Sequence, residues 1–210
     1  MSNLLISLLA CHNTMKEEER KYGKIGLSVF VMPTAEINGF NQYYAYSKSA
    51  TERSRGPITP ITDTRDMVNQ LLQIQRQQQA QIDFLSITAH GTATYLGSWE
   101  GVFLIGSDKI TLSVLQNPAD PVTMELTRLR GVFTPDALVE LRACFIGQEL
   151  TMLKELSMQL GGVRVQASRW IQYGTYAGLT GPPQSIVECK GNKCAPLLQP
   201  PPPLMRPRYR

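Results

Sequence analysis

The sequence predicts an α/β fold built on a mainly parallel central sheet, and three observations carry that prediction. Two short apolar runs, Asp83–Gly91 and Val139–Gly147, each end on a loop-forming glycine. That is the length and punctuation of a buried strand. Strand patterns at 82–89 and 163–167 each follow directly on a helical pattern, and helix alternating with strand is the signature of parallel pairing. The strand over residues 3–11 is apolar throughout rather than alternating, as strands buried on both faces are. If the two runs are parallel neighbours, their carboxyl ends share the rim where open α/β sheets place reactive groups. His90 and Cys144 then face each other across a cleft, a base beside a thiol.

The chain has 210 residues, enough for one domain with its own core, and 42% apolar and 18% charged residues are ordinary for a globular protein. Its net charge of +4 resides in the last 23 residues: five basic side chains and one acid lie between Glu188 and Arg210, leaving 16 basic against 16 acidic in the body. A neutral body argues against nucleic-acid binding. The sequence therefore divides into a domain over 1–187 and a basic, proline-rich tail over 188–210, expected to be disordered. No stretch reaches the ~20 apolar residues of a membrane span. Leu4–Ala10 followed by Cys11 has a faint likeness to a lipoprotein cleavage site, but no Lys or Arg precedes it, and a first buried strand is the favoured reading. A cytoplasmic protein, or one exported without a cleaved signal, is expected.

In chain order, strand one is expected at Asn3–Cys11 and a short helix at Met15–Tyr22. A second strand follows at Ile25–Met32, closed by Pro33. Thr34–Pro60 is rich in Gly, Ser, Tyr and Pro and reads as a surface excursion. Thr62–Asp63 caps a helix with Met67, Leu71, Leu72 and Ile74 at helical spacing, and strand three, Ile82–Ala89, delivers His90. Thr92–Gly97 reads as a polar loop. Val102–Ile105 and Lys109–Leu112 flank Gly106-Ser107-Asp108 as a hairpin. Leu115–Pro121 reads as a loop, Met124–Leu129 as a short helix and Val139–Cys144 as strand four. A helix over Gln148–Leu160 places Leu150, Leu153, Leu156 and Leu160 on one face and is stopped by Gly161-Gly162. Strand five is Val163–Ala167. Beyond it periodicity is lost, and Pro200–Pro203 is polyproline-like. Cys189 and Cys194 bracket Lys-Gly-Asn-Lys, either as a hairpin closed by a disulfide or as two free surface thiols. A zinc site would need two more ligands, which the neighbouring sequence does not offer.

The chemistry centres on the thiol. A cysteine attacks only as thiolate, and free cysteine has a pKa of about 8.5. A nearby imidazole or a helix amino end favours the anion. Attack on a carbonyl then needs donors for the oxyanion, and rigid backbone N–H groups serve best. Gly91 offers a bare backbone beside the base, and the Cys144 N–H could be the second donor.

The strand Leu85–Gly91 ending in His-Gly resembles the caspase-like cysteine peptidases, as does the later strand Leu141–Gly147 with its Ala-Cys and closely following glycine. The segments Leu129–Ala137 and Leu160–Ser168 look like the CHAT-type bacterial branch of that clan. The resemblance covers roughly residues 62–170 and implies a three-layer α/β/α sandwich. It also implies a cysteine endopeptidase with His90 as base or polariser, Cys144 as nucleophile, and Gly91 and Cys144 as oxyanion donors. In this clan the histidine often acts mainly on the leaving amine. The position two before the cysteine commonly lines the primary specificity pocket. Arg142 occupies it and, two residues from Cys144 on a strand, shares its face. An arginine there implies preference for Asp or Glu on the acyl side; the competing reading is a structural ion pair. Arg169 and Trp170 fall where the clan builds the pocket wall, and His12 is a candidate near the tip of strand one. The resemblance implies no metal or organic cofactor. It implies a protein or peptide substrate, and many relatives take an activating or inhibitory protein partner. The rival readings are a catalytically silent caspase-like scaffold and a serine hydrolase, but the Gly-x-Ser-x-Gly elbow that a serine hydrolase would need is absent.

Overall fold

The computed structural model describes residues 26–34, 52, 57–93, 100–172, 179, 181–182 and 184–197. The expected first strand and helix, His12 and most of the Thr34–Pro60 excursion lie outside the described residues. The elements are β1 (Leu27–Pro33), β2 (Thr59–Ile61), α1 (Thr64–Gln78), β3 (Ile82–Thr88), β4 (Gly91–Thr92), β5 (Val102–Ile105), β6 (Asp108–Thr111), α2 (Leu112–Gln116), α3 (Pro121–Thr127), β7 (Phe133–Arg142), α4 (Leu150–Gln159), β8 (Arg164–Ser168), β9 (Ile186–Lys190) and β10 (Lys193–Pro196).

Seven strands form one sheet in the order β10-β9-β8-β7-β3-β1-β2. The five from β2 to β8 run parallel, and β9 and β10 close the edge as an antiparallel hairpin. This is the mainly parallel α/β architecture expected. A second, antiparallel sheet, β4-β5-β6, hangs from the end of β3.

The parity of each strand explains the layering. Val29, Val31, Leu85, Ile87, Val139, Leu141, Val165 and Val187 point to one face and form a single apolar cluster with Met67, Val68 and Leu71 of α1, Leu115 of α2, Leu126 of α3 and Leu153 of α4. The intervening residues point to the other face, which is buried too, as a sheet with both faces covered requires. Phe30 and Phe84 meet there, ring centres 5.7 Å apart. Six neighbours on that face are polar: Ser86, Thr88, Glu140, Arg142, Gln166 and Ser168. Ser86 donates to the Glu140 carboxylate (2.9 Å) and Gln166 to Glu188 (2.7 Å), so the row is held by cross-strand hydrogen bonds.

Local chemistry accounts for the boundaries. Asp63 caps α1 by accepting from the Asp66 N–H, and Asp108 of β6 accepts from the Thr64 N–H (2.8 Å). The expected loop at Leu115–Pro121 is partly helix: the Thr111 hydroxyl caps α2, and the buried Leu115 anchors it. The helix expected from Met124 begins at Pro121, because Asp120 caps it and proline suits the first turn. Strand four starts six residues earlier than expected and ends at Arg142 rather than Cys144. Its first part bulges opposite Asp83, whose carboxylate receives the Thr134 hydroxyl (2.8 Å), and the bulge accommodates Pro135. The expected polar loop begins as the paired strand β4. The helix expected from Gln148 is split into a 3₁₀ turn, Ile146–Gln148, and α4.

The boundary drawn at 187 moves. β9 and β10 extend the sheet to Pro196, so the first part of the expected tail is paired structure. Cys189 and Cys194 are directly opposed on this hairpin and joined by a disulfide, which resolves the two open readings. The hairpin turn is clasped to α4: the Gly191 N–H donates to the Ser157 hydroxyl (2.8 Å), which itself donates to the Val163 carbonyl (2.5 Å). The disulfide closes a loop with a sequence separation of only 5. Replacing both cysteines by serine is expected to lower stability by only about 2 kcal/mol, the chain-entropy value for so short a loop; urea unfolding of the double variant checks this.

Candidate active site

Three parallel strand ends build the site. Thr88 of β3 faces Arg142 of β7, and Leu141 of β7 faces Ala167 of β8. Past the last paired residues, the Ala89 N–H still donates to the Arg142 carbonyl (3.2 Å). His90 and Cys144 each stand two residues beyond the Thr88–Arg142 pair, so the register carries both to the same rim. Both are partly exposed, and Cys144 is a free thiol.

Cys144 opens a tight turn. Phe145, directly after it, has φ 63°, in the left-handed region that costs a side-chain-bearing residue about 1–2 kcal/mol. The strain is held by two bonds: the Phe145 N–H donates to the Trp170 carbonyl (3.1 Å), and the Phe145 carbonyl receives the Gln148 N–H (2.9 Å). The segment after β8 completes the enclosure, with the Gln172 N–H donating to the Cys144 sulfur at 3.4 Å.

Two glycines permit this crowding. A Cβ on Gly91 would lie 2.7 Å from Ile146 Cγ1, 2.8 Å from Ala143 Cβ and 2.8 Å from the Cys144 carbonyl oxygen. The bare backbone therefore first serves to let the histidine segment touch the cysteine turn. A Cβ on Gly147 would lie 2.5 Å from the Ser168 carbonyl carbon and 2.6 Å from the Arg169 nitrogen, so this glycine seats the same turn on the end of β8. Each draws two strand ends into contact.

The β4–β5 ladder sets the direction of the Gly91 N–H. Leu104 donates to the His90 carbonyl (2.9 Å), and Gly91 pairs with Phe103. Antiparallel alternation then turns the Gly91 N–H away from β5.

The residues expected to bind substrate are distributed differently. Arg142 lies beneath the rim, 1% exposed, with Nη1 3.5 Å from the Thr88 hydroxyl. Arg169 is half-buried, and its backbone is engaged: its N–H donates to the Ser185 carbonyl (2.7 Å), and its carbonyl accepts from Gln148 Nε2 (2.8 Å). Trp170 and the following Ile171 are 49% and 42% exposed, an apolar pair directly before Gln172 in the chain. Gln172 and the left-handed Phe145 were not singled out from the sequence. Gln172 falls where periodicity is lost, and nothing local marks a phenylalanine for a positive φ.

Alongside the cysteine turn, Glu100, Gly101, Gln148, Glu149, Leu150 and Met152 are among the residues lining a cleft of ~400 Å³. Partial desolvation pushes the Glu100 carboxyl up, but hydrogen bonds from Ser113 and Thr111 together outweigh it and leave the group below its usual range. Among the described residues, no group of three or more His, Cys, Asp or Glu could hold a metal, and no helix is long and apolar enough to cross a membrane.

The fold and rim define a mainly parallel α/β protein with a histidine and a free thiol at the carboxyl ends of adjacent strands. No family model and no curated protein matches the chain. Among solved structures, a secreted C11 cysteine protease from Bacteroides thetaiotaomicron, crystallised with an irreversible peptide inhibitor, is similar at a TM-score of 0.37 and 12% sequence identity, over 72% of this chain and 51% of that one. The chain thus spans about half the length of that protein.

Gly91→Ala and Gly147→Ala are each expected to destabilise the protein by about 1–3 kcal/mol, the cost of overpacking against neighbours that cannot retreat, as chemical denaturation would measure. The depressed Glu100 carboxyl stabilises the fold above the ordinary carboxylate range and loses that contribution as pH falls through its folded value. Glu100→Gln is expected to remove this acid-side slope from a plot of melting temperature against pH.

Proposed function

We propose that the protein is a caspase-like cysteine endopeptidase, with the CHAT-type branch the one its motif segments resemble. The observation that carries the reading is the register of β3 with β7, which brings an imidazole and a thiol to one rim. The Cys144 thiolate attacks the scissile carbonyl, and the N–H groups of Gly91 and Cys144 receive the oxyanion. His90 protonates the leaving amine as the tetrahedral adduct collapses to a thioester. Water then hydrolyses the thioester with His90 as base.

The substrate is a protein or peptide. Arg142, buried at the end of β7 two residues before Cys144, would meet an acidic side chain on the acyl side. Arg169 and the exposed Trp170 would form the wall of that pocket. The disulfide of the β9–β10 hairpin favours export over the reducing cytoplasm.

Cleavage of a peptide library tests the reading. Cys144→Ala is expected to abolish it, and His90→Ala to slow it by at least about a thousandfold. Equal cleavage by the wild type and Cys144→Ala would overturn the proposal in favour of a catalytically silent scaffold. Arg142→Asp is expected to remove the preference for acidic residues, read from the cleaved positions in the same library; an unchanged preference would assign Arg142 a structural ion pair.

A further inference from the structure

The sulfur of Cys144 receives a hydrogen bond from a main-chain N–H, and the geometry of the donor segment is specific. After β8 the chain makes a short clasp over residues 168–172. The Ser168 hydroxyl accepts from the Trp170 N–H (3.0 Å), which turns the strand out of its ladder. The Trp170 carbonyl is then held twice: by the Phe145 N–H at 3.1 Å, and by Nε2 of Gln172 at 3.3 Å. The second bond folds the Gln172 side chain back over its own segment. With the side chain so placed, the Gln172 N–H meets the Cys144 sulfur at 3.4 Å. Gln172 is buried, 3% exposed, between the exposed Ile171 and the site.

We infer that Gln172 is a positioning residue for the nucleophile: its side-chain amide pins the Trp170 carbonyl so that its own backbone N–H holds the Cys144 sulfur in place for attack. The inference rests on the reading of Cys144 as nucleophile. A glutamine suits the task. It carries a donor long enough to reach back two residues, and its neutral amide places no charge beside the sulfur. The same Trp170 carbonyl bonds Phe145 on the far side of Cys144, so one carbonyl ties both flanks of the sulfur together. The sulfur then needs no hydrogen bond from His90 to be held, which leaves the imidazole to serve the leaving amine.

Two measurements on the full chain test this. Amide hydrogen exchange at Gln172 is expected to be slow in the wild type and to speed up by about tenfold or more in Cys144→Ala, which removes the acceptor, while the Phe145 amide stays protected. Unchanged exchange at Gln172 would overturn the inference. In Gln172→Met, which keeps the volume but not the donor, alkylation of Cys144 by iodoacetamide, followed at that peptide by mass spectrometry, is expected to slow by about tenfold, the worth of one hydrogen bond to a charged sulfur. A variant that melts like the wild type and alkylates at an equal rate would also overturn it. If Gln172→Met does not fold, the exchange experiment decides alone. The exchange result is independent of the library assay, so failure of the clasp and failure of the peptidase reading are separable.

Discussion

The parallel pairing of β3 with β7 is the constraint on which the rest of the site depends. A parallel ladder transmits register along its length, so fixing Leu85 opposite Val139 in the core also fixes what stands opposite what at the rim. A slip of one residue would put every inward side chain on the wrong face. That slip is barred on both sides of the sheet: apolar residues on one face lock into α1 and α4, and on the other Ser86 meets Glu140. The rim inherits its geometry from burial several residues away, which is the most rigid support a functional loop can have.

The second face of the sheet is chemically unusual for a protein interior. Glu140 and Arg142, two residues apart on one strand, are both almost fully buried, and the row beside them is Ser, Thr and Gln. Buried polar groups need partners, and cross-strand bonds supply them to Glu140 and to the Gln166 amide nitrogen, while Gln166 Oε1 is buried without one. The row also buries a cation two residues before Cys144, where an apolar core would have placed an aliphatic side chain.

Much of this was legible in the sequence, and the reason differs element by element. α1 was readable because an aspartate cap and a helical stripe coincide, β3 because its apolar run ends on His-Gly, and β8 because Gly161-Gly162 stops the helix before it. His90 and Cys144 could be read together because each closes such a run, and parallel strands put like ends at one edge. The start of β7 was hidden by Pro135 and Asp136, poor strand formers that a bulge absorbs. α2 was hidden because five residues are too few for a period to show. The Cys189–Cys194 hairpin was readable as one of two alternatives, but its pairing to β8 was hidden by its charge, since an edge hairpin need bury only one face. The close approach at Gly91, the left-handed Phe145 and the Gln172 contact to sulfur are properties of segments far apart in the chain. No local signal encodes them.

Ser86 and Glu140, joined across the two central strands, are 54 positions apart in the chain. Closing so wide a loop costs entropy before any contact repays it, and long-range parallel pairing is slow to form. The two halves of the rim are therefore a late product of folding. A chain still emerging or half-folded carries the histidine without its thiol, and the two stand at one rim only once the middle of the sheet has closed.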